Sequence, residues 1–131
     1  MSDLKTKQLE IGRNLYKISA TVTLCGTDVA VIIGGGEKPH IGAVGLASPR
    51  PSLKNATMAS ASASVICLLG HKEDTLAREA ALFLASKFNA NVLVSVGLHL
   101  DDATVEDIDK LKFNFDAIIV EVEEWLQSQT F

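Results

Sequence analysis

An α+β fold is predicted for this 131-residue chain, on three observations. Residues 16–26 alternate apolar and polar side chains with period two. Residues 63–98 run strand, helix, strand. Residues 105–125 hold apolar side chains at a spacing of three and four. The first predicts a mainly antiparallel sheet meander and the second a βαβ-like unit. The third predicts a long helix, so that two helices pack on the sheet.

Each element has its local reason. Residues 1–6 are polar and expected to fray, within one domain spanning 1–131. In "YKISATVTLCG", Ile18, Ala20, Val22 and Leu24 face opposite to Lys17, Ser19, Thr21 and Thr23. That is a strand with one wet face. Gly26-Thr27-Asp28 is turn chemistry, and "VAVIIGGG" (29–36) is apolar on both faces, as a central strand is. A glycine and proline turn over 34–39 leads to "HIGAVGLAS" (40–48), the third strand of the expected meander. Residues 49–55 read as a loop stiffened by two prolines. Over 58–69 small side chains share both faces of a strand, which permits close approach by another element. Leu76, Ala80, Phe83, Leu84 and Phe88 have helical spacing, and Asn89 suits the helix end. "NVLVSVGLH" (91–99) is a buried strand, parallel to 63–69 through a right-handed crossover. Thr104 caps the last helix, which carries a candidate break near Asn114.

Composition narrows the function. Hydrophobic residues make up 47% and the net charge is −4, with no lysine or arginine cluster. Neither nucleic acid nor an anionic membrane fits as the main partner. No apolar run approaches the length of a membrane span. The first residues lack a signal-peptide core, so a cytoplasmic protein is expected. Cys25 and Cys67 are read as buried free thiols in a reducing compartment.

The three histidines stand at comparable places. His40 opens a strand, and His71 and His99 each follow a strand's end. The expected topology brings them to one rim with Lys72, Glu73, Asp101 and Asp102. Three readings are open there: a zinc site on His40, His71 and His99, an organic-ligand pocket, or separate hydrogen bonding of strand ends. No HxH or HExxH pair supports the metal. "GGGEKPH" offers an anion nest or a plain hairpin turn. It is neither a Walker loop nor a dinucleotide fingerprint. "GHKED" (70–74) opens a helix, where an anion meets free N–H groups, although Glu73 and Asp74 on a solvated face serve the dipole equally well. Asp101 and Asp102 suit capping and solvation better than acid–base work. No nucleophile motif is present.

The ordered stretches "HIGAVGLA" (40–47), "GHKED" (70–74) and "GLHLDDAT" (97–104) resemble the small D subunit of gallate-type hydroxyarylic acid decarboxylases, the prenylated flavin chaperone LpdD-like family. The resemblance covers residues 29–126, roughly. It implies a small, non-catalytic accessory protein that binds prenylated FMN, or FMN, and supplies it to a partner decarboxylase. It also implies a fold similar to proteasome-assembly chaperones, and a homodimer. Position by position, the family stretches fall on His40, Gly42, Gly70, His71, Lys72, Glu73, Gly97, His99 and Asp101, and all of these but Gly97 are implied as flavin-binding residues.

Overall fold

The computed structural model describes residues 4–54, 59–68 and 73–129. The strands are β1 (Lys5–Ile11), β2 (Ile18–Cys25), β3 (Asp28–Gly36), β4 (Ala43–Pro51), β5 (Ala59–Cys67) and β6 (Val92–His99). The helices are α1 (Asp74–Phe88) and α2 (Val105–Gln127), with a short 3-10 turn at Asn14–Tyr16. One six-stranded sheet has the order β1-β2-β3-β6-β4-β5. The α+β prediction therefore holds.

Period two builds the core. Ile18, Val22, Val31, Ile33, Val92, Val94 and Val96 are fully buried on one sheet face. They meet Leu84 of α1 and Ile118, Val122 and Leu126 of α2, which are also fully buried. α1 lies over β4, β5 and β6, and α2 over β1 and β2. A Cβ on Gly45 would come 2.8 Å from the Ala77 carbonyl, so glycine lets α1 settle directly on β4. Among the described residues, the opposite sheet face carries no helix. There Ile32, Leu46 and Ile66 are exposed.

The meander is only half right. β2 and β3 pair antiparallel, but β6 lies between β3 and β4. β6 runs parallel to β3 and antiparallel to β4. Alternation reports that a segment is a strand and which face is wet, and it does not report the neighbour. The βαβ-like unit stands: β5 and β6 are both antiparallel to β4, hence parallel to each other with β4 between.

Three further expectations are corrected. Residues 5 and 6 are not frayed, because β1 pairs along β2 from Lys5↔Leu24 to Ile11↔Ile18. Residues 49–51 are not loop, because Pro49 and Pro51 continue β4 opposite Ala61 and Ala59. Register with β6 ends at Ala47↔Val92, so beyond it β4 has a free side, where a missing N–H costs nothing. Cys25 and Cys67 are exposed and not buried, since both sit at strand ends beyond the helix cover.

α2 runs unbroken past Asn114, whose side-chain amide donates to the Tyr16 carbonyl at 2.8 Å. That cross-contact spares the helix ladder from competition. Asn89 ends α1 in the left-handed conformation at φ 50°. Thr104 caps α2 in a reciprocal box. Its hydroxyl accepts from the Asp107 N–H at 3.1 Å, and Asp107 accepts the Thr104 N–H at 3.0 Å. Tyr16 donates its hydroxyl to Asp107 at 2.6 Å, tying the 3-10 turn to the helix start. Thr104→Ala is expected to lower unfolding stability by about 1 kcal/mol in urea titration.

Acid dependence follows from the same cap. The Thr104 backbone N–H, then the Tyr16 hydroxyl, hold the Asp107 carboxyl below its ordinary value. A depressed folded value means that the contribution is present above the unfolded carboxyl range. It is lost as pH falls through the lower folded value. Asp107→Asn is expected to flatten the acid limb of stability against pH, and an unchanged limb would contradict it.

Candidate functional site

The glycine run, His40 and His99 meet at the C-terminal ends of β3 and β6. Gly34 and Gly35 lie inside β3, between β2 and β6. The next N–H groups are also spent: Gly36 donates to Lys17 O, and Glu37 and Lys38 to His99 O. An anion nest is therefore absent from residues 34–38, and the glycines serve close packing. A Cβ on Gly34 would stand 2.8 Å from Pro39 Cβ, and one on Gly97 would run into the His40 carbonyl. The segment 37–42 thus lies tightly across the ends of β3 and β6. His40 precedes β4, which starts at Ala43 and not at residue 40 as expected.

This crossing brings four of the sequence-predicted residues together. The His40 ring puts Nδ1 2.9 Å from the Lys38 carbonyl and Nε2 3.2 Å from Glu73 Oε1. The His40 and His99 rings stand edge to face, with centroids 6.3 Å apart. His99 Nε2 lies 2.9 Å from Asp101 Oδ1, which also takes the Lys38 ammonium at 3.1 Å. The His99 hydrogen bond, then Lys38, hold Asp101 below the usual carboxyl value. Asp101 is therefore part of the cluster, beyond the loop solvation expected of it. Asp102 turns the chain with φ 51°.

Glu73 departs most from its expected solvated role. Its side chain is only 11% exposed. Oε1 accepts the Leu98 N–H at 3.3 Å, so a carboxylate from the start of α1 pins the end of β6. A Cβ on Gly42 would stand 2.6 Å from Glu73 Oε2, and glycine there leaves room for the carboxylate. Gly70, His71 and Lys72 lie outside the described residues. Among the described residues no group of three or more His, Cys, Asp or Glu is arranged to hold a metal. The zinc reading also rests on His71, outside the described residues; of the other two, the His40 ring nitrogens face Lys38 O and Glu73, and His99 Nε2 faces Asp101.

Behind the cluster opens a cleft of about 610 Å³ between the start of α1, the end of β6 and the start of α2. Leu76, Leu98, Leu100, Ala103, Ile108 and Leu111 form an apolar wall. Glu73, His99, Asp109 and Lys112 supply its polar groups. The α2 residues were missed from sequence. One signal existed: Val105 and Ile108 extend the apolar stripe of α2 past its core, and both are exposed. Glu37 was missed as well, although "GGGEKPH" was read for its backbone. Its carboxylate accepts the Asp101 N–H at 3.0 Å and anchors the turn after β6.

Comparison with known proteins adds to this geometry. A family model described as the prenylated flavin chaperone LpdD-like domain matches residues 12–127. No curated protein matches the chain. A similar chain occurs in the crystal structure of a chaperone complex for yeast 20S proteasome assembly. It is 18% identical with a TM-score of 0.59, over 95% of this chain and 96% of that one. At that identity the likeness concerns the fold alone.

Proposed function

Because the chain belongs to the prenylated flavin chaperone LpdD-like family, and so has a non-catalytic accessory role, we propose that it binds prenylated FMN in the cleft beside His40, Glu73 and His99. It then passes the flavin to a hydroxyarylic acid decarboxylase in the cytoplasm. The observation that carries this reading is the cleft itself. Its 610 Å³ falls in the range of small-molecule sites, about 300–1,000 Å³. Its wall is apolar with few polar groups, which suits a flat ring extended by an apolar ring. The phosphate is less well served. Among the described residues Lys112 is the permanent cation lining the cleft, and Glu73 and Asp109 are carboxylates in the same lining. The ring system therefore goes inward and the phosphate toward the mouth, near Lys112. A reduced flavin adduct is chemically labile, and burial against Leu98, Leu100 and Leu111 keeps it from solvent. His99 and Lys112 orient the polar edge.

Titration with prenylated FMN, followed by calorimetry, tests this. Saturable binding at micromolar concentration is expected. Ala103→Trp, which fills the cleft, should weaken it by more than tenfold. No saturable binding at concentrations up to ~1 mM would overturn the direct-carrier reading. Plain FMN is expected to bind more weakly, because it lacks the apolar ring.

The homodimer implied by the family stretches has a matching surface. Six strands about 4.8 Å apart and about 26 Å long present roughly 750 Å² on the bare face. A standard interface needs about 800 Å² per partner. Ile32, Leu46 and Ile66 lie exposed on that face. Leu46→Asp with Ile66→Lys is expected to give a monomer in sedimentation equilibrium. A wild-type monomer at ~100 µM would remove the dimer from the proposal.

A further inference from the structure

His99 lines the cleft, and the segment that crosses the strand ends holds it in place. Its Nε2 lies 2.9 Å from Asp101 Oδ1. The same oxygen takes the Lys38 ammonium at 3.1 Å, and the Asp101 N–H is tied to Glu37 at 3.0 Å. The Glu37 and Lys38 N–H groups also bond His99 O. One short segment therefore anchors both the main chain of His99 and the carboxylate beside its ring.

Hydrogen-bond chemistry then decides which ring nitrogen carries the proton. An ionised carboxylate only accepts. The His99 hydrogen bond and Lys38 both favour the ionised form of Asp101. Nε2 therefore donates, and in the neutral ring Nδ1 is left with a lone pair. Among the described residues none hydrogen-bonds that nitrogen. The neighbouring His40 ring turns its own nitrogens to Lys38 O and Glu73. The cleft thus holds a neutral acceptor beside an apolar wall. Its two carboxylates are placed differently. Glu73 is turned to the Leu98 N–H and the His40 ring. Asp109 is exposed and also lines a hollow with Tyr16, Lys110 and Phe113, which sets it at the outer rim.

We propose that Asp101 is a positioning residue that fixes His99 with its proton on Nε2, so that Nδ1 accepts the imide N–H of the flavin's pyrimidine ring. This rests on the flavin reading and adds what the cleft recognises. The imide, an N–H between two carbonyls, is a donor that FMN and its prenylated form share. His99 reads that edge, and the apolar wall reads the added ring.

The test compares prenylated FMN with its imide-N-methylated analogue on the whole chain, by calorimetry at about pH 8, where imidazole is ordinarily neutral. The methylated ligand is expected to bind about tenfold more weakly or worse, since it loses one hydrogen bond and puts a methyl group against Nδ1. Asp101→Leu should let the ring turn and cut that ratio to about threefold or less. Asp101→Asn keeps an acceptor oxygen for Nε2 and should hold the ratio near the wild-type value. A purely structural role for Asp101 would leave the ratio unmoved. Imidazole nitrogen–proton correlation spectra of the flavin-free protein should show the His99 proton on Nε2. Equal binding of the two ligands would overturn the proposal while leaving the flavin reading intact. A His99 proton on Nδ1 would overturn it without any ligand. Loss of the ratio in Asp109→Asn, with Asp101→Leu unaffected, would assign the imide to Asp109 and overturn it too. No saturable binding of prenylated FMN up to ~1 mM would remove the flavin reading and this proposal with it.

Discussion

Gly97→Ala is expected to cost about 3 kcal/mol in urea unfolding, and to separate the His40 and His99 rings. Gly97 sits in β6 opposite Gly34 of β3, in the centre of the sheet. A Cβ there would run into the carbonyl, carbonyl carbon and Cα of His40. These are backbone atoms, so no rotamer change relieves the clash. Either β6 shifts against β3, or the segment 37–42 lifts away. Lifting would also strain the Glu37 and Lys38 N–H bonds to His99 O. Gly26→Ala is the control. Gly26 has φ +63° and nothing within 4 Å of the added carbon, so only backbone strain of about 1 kcal/mol applies. If Gly97→Ala unfolds no more easily than Gly26→Ala, the crossing of His40 over β6 is wrong.

Glu73→Ala should lower stability by roughly 2–3 kcal/mol and weaken prenylated FMN by more than tenfold. The carboxylate joins three things: the start of α1, the Leu98 N–H of β6 and the His40 ring. Truncation leaves a part-buried N–H without its acceptor and removes the contact that fixes His40. Glu73→Gln keeps a carbonyl oxygen for Leu98 and should recover most of the stability. The Leu98 amide resonance distinguishes the two, moving strongly in the alanine variant and little in the glutamine one. Unchanged stability in Glu73→Ala would remove Glu73 from its pinning role. Unchanged flavin affinity would move the flavin out of this cleft.

Much of the architecture was legible. The alternation from Ile18 to Leu24, the three-four spacing of α2, the Thr104 cap and the Asn89 ending are local signals, and the structure has each of them. β1 was not legible, because KTKQLEI has too few apolar residues to announce a strand, and its pairing with β2 makes it one. The prolines of β4 misled for a related reason. Their cost depends on whether a neighbour is there to accept a donor, and β6 ends short of them.

The candidate site divides the same way. His40, His99, Glu73 and Asp101 were picked out from their positions at turns and element ends. Their meeting depends on β6 entering between β3 and β4, which carries the 37–42 crossing over Gly97. The inward course of Glu73 and the α2 wall of the cleft depend on helix placement. The sequence alone determined the class of fold, the kind and order of its main elements from β2 onward, and the family to which the matched stretches point. Strand neighbours, the buried carboxylate and the cleft were decided only in three dimensions. Side-chain periodicity is local and is written into each segment. Main-chain hydrogen bonds between strands are the same for nearly every residue, so the choice of partner belongs to the packing of the whole chain.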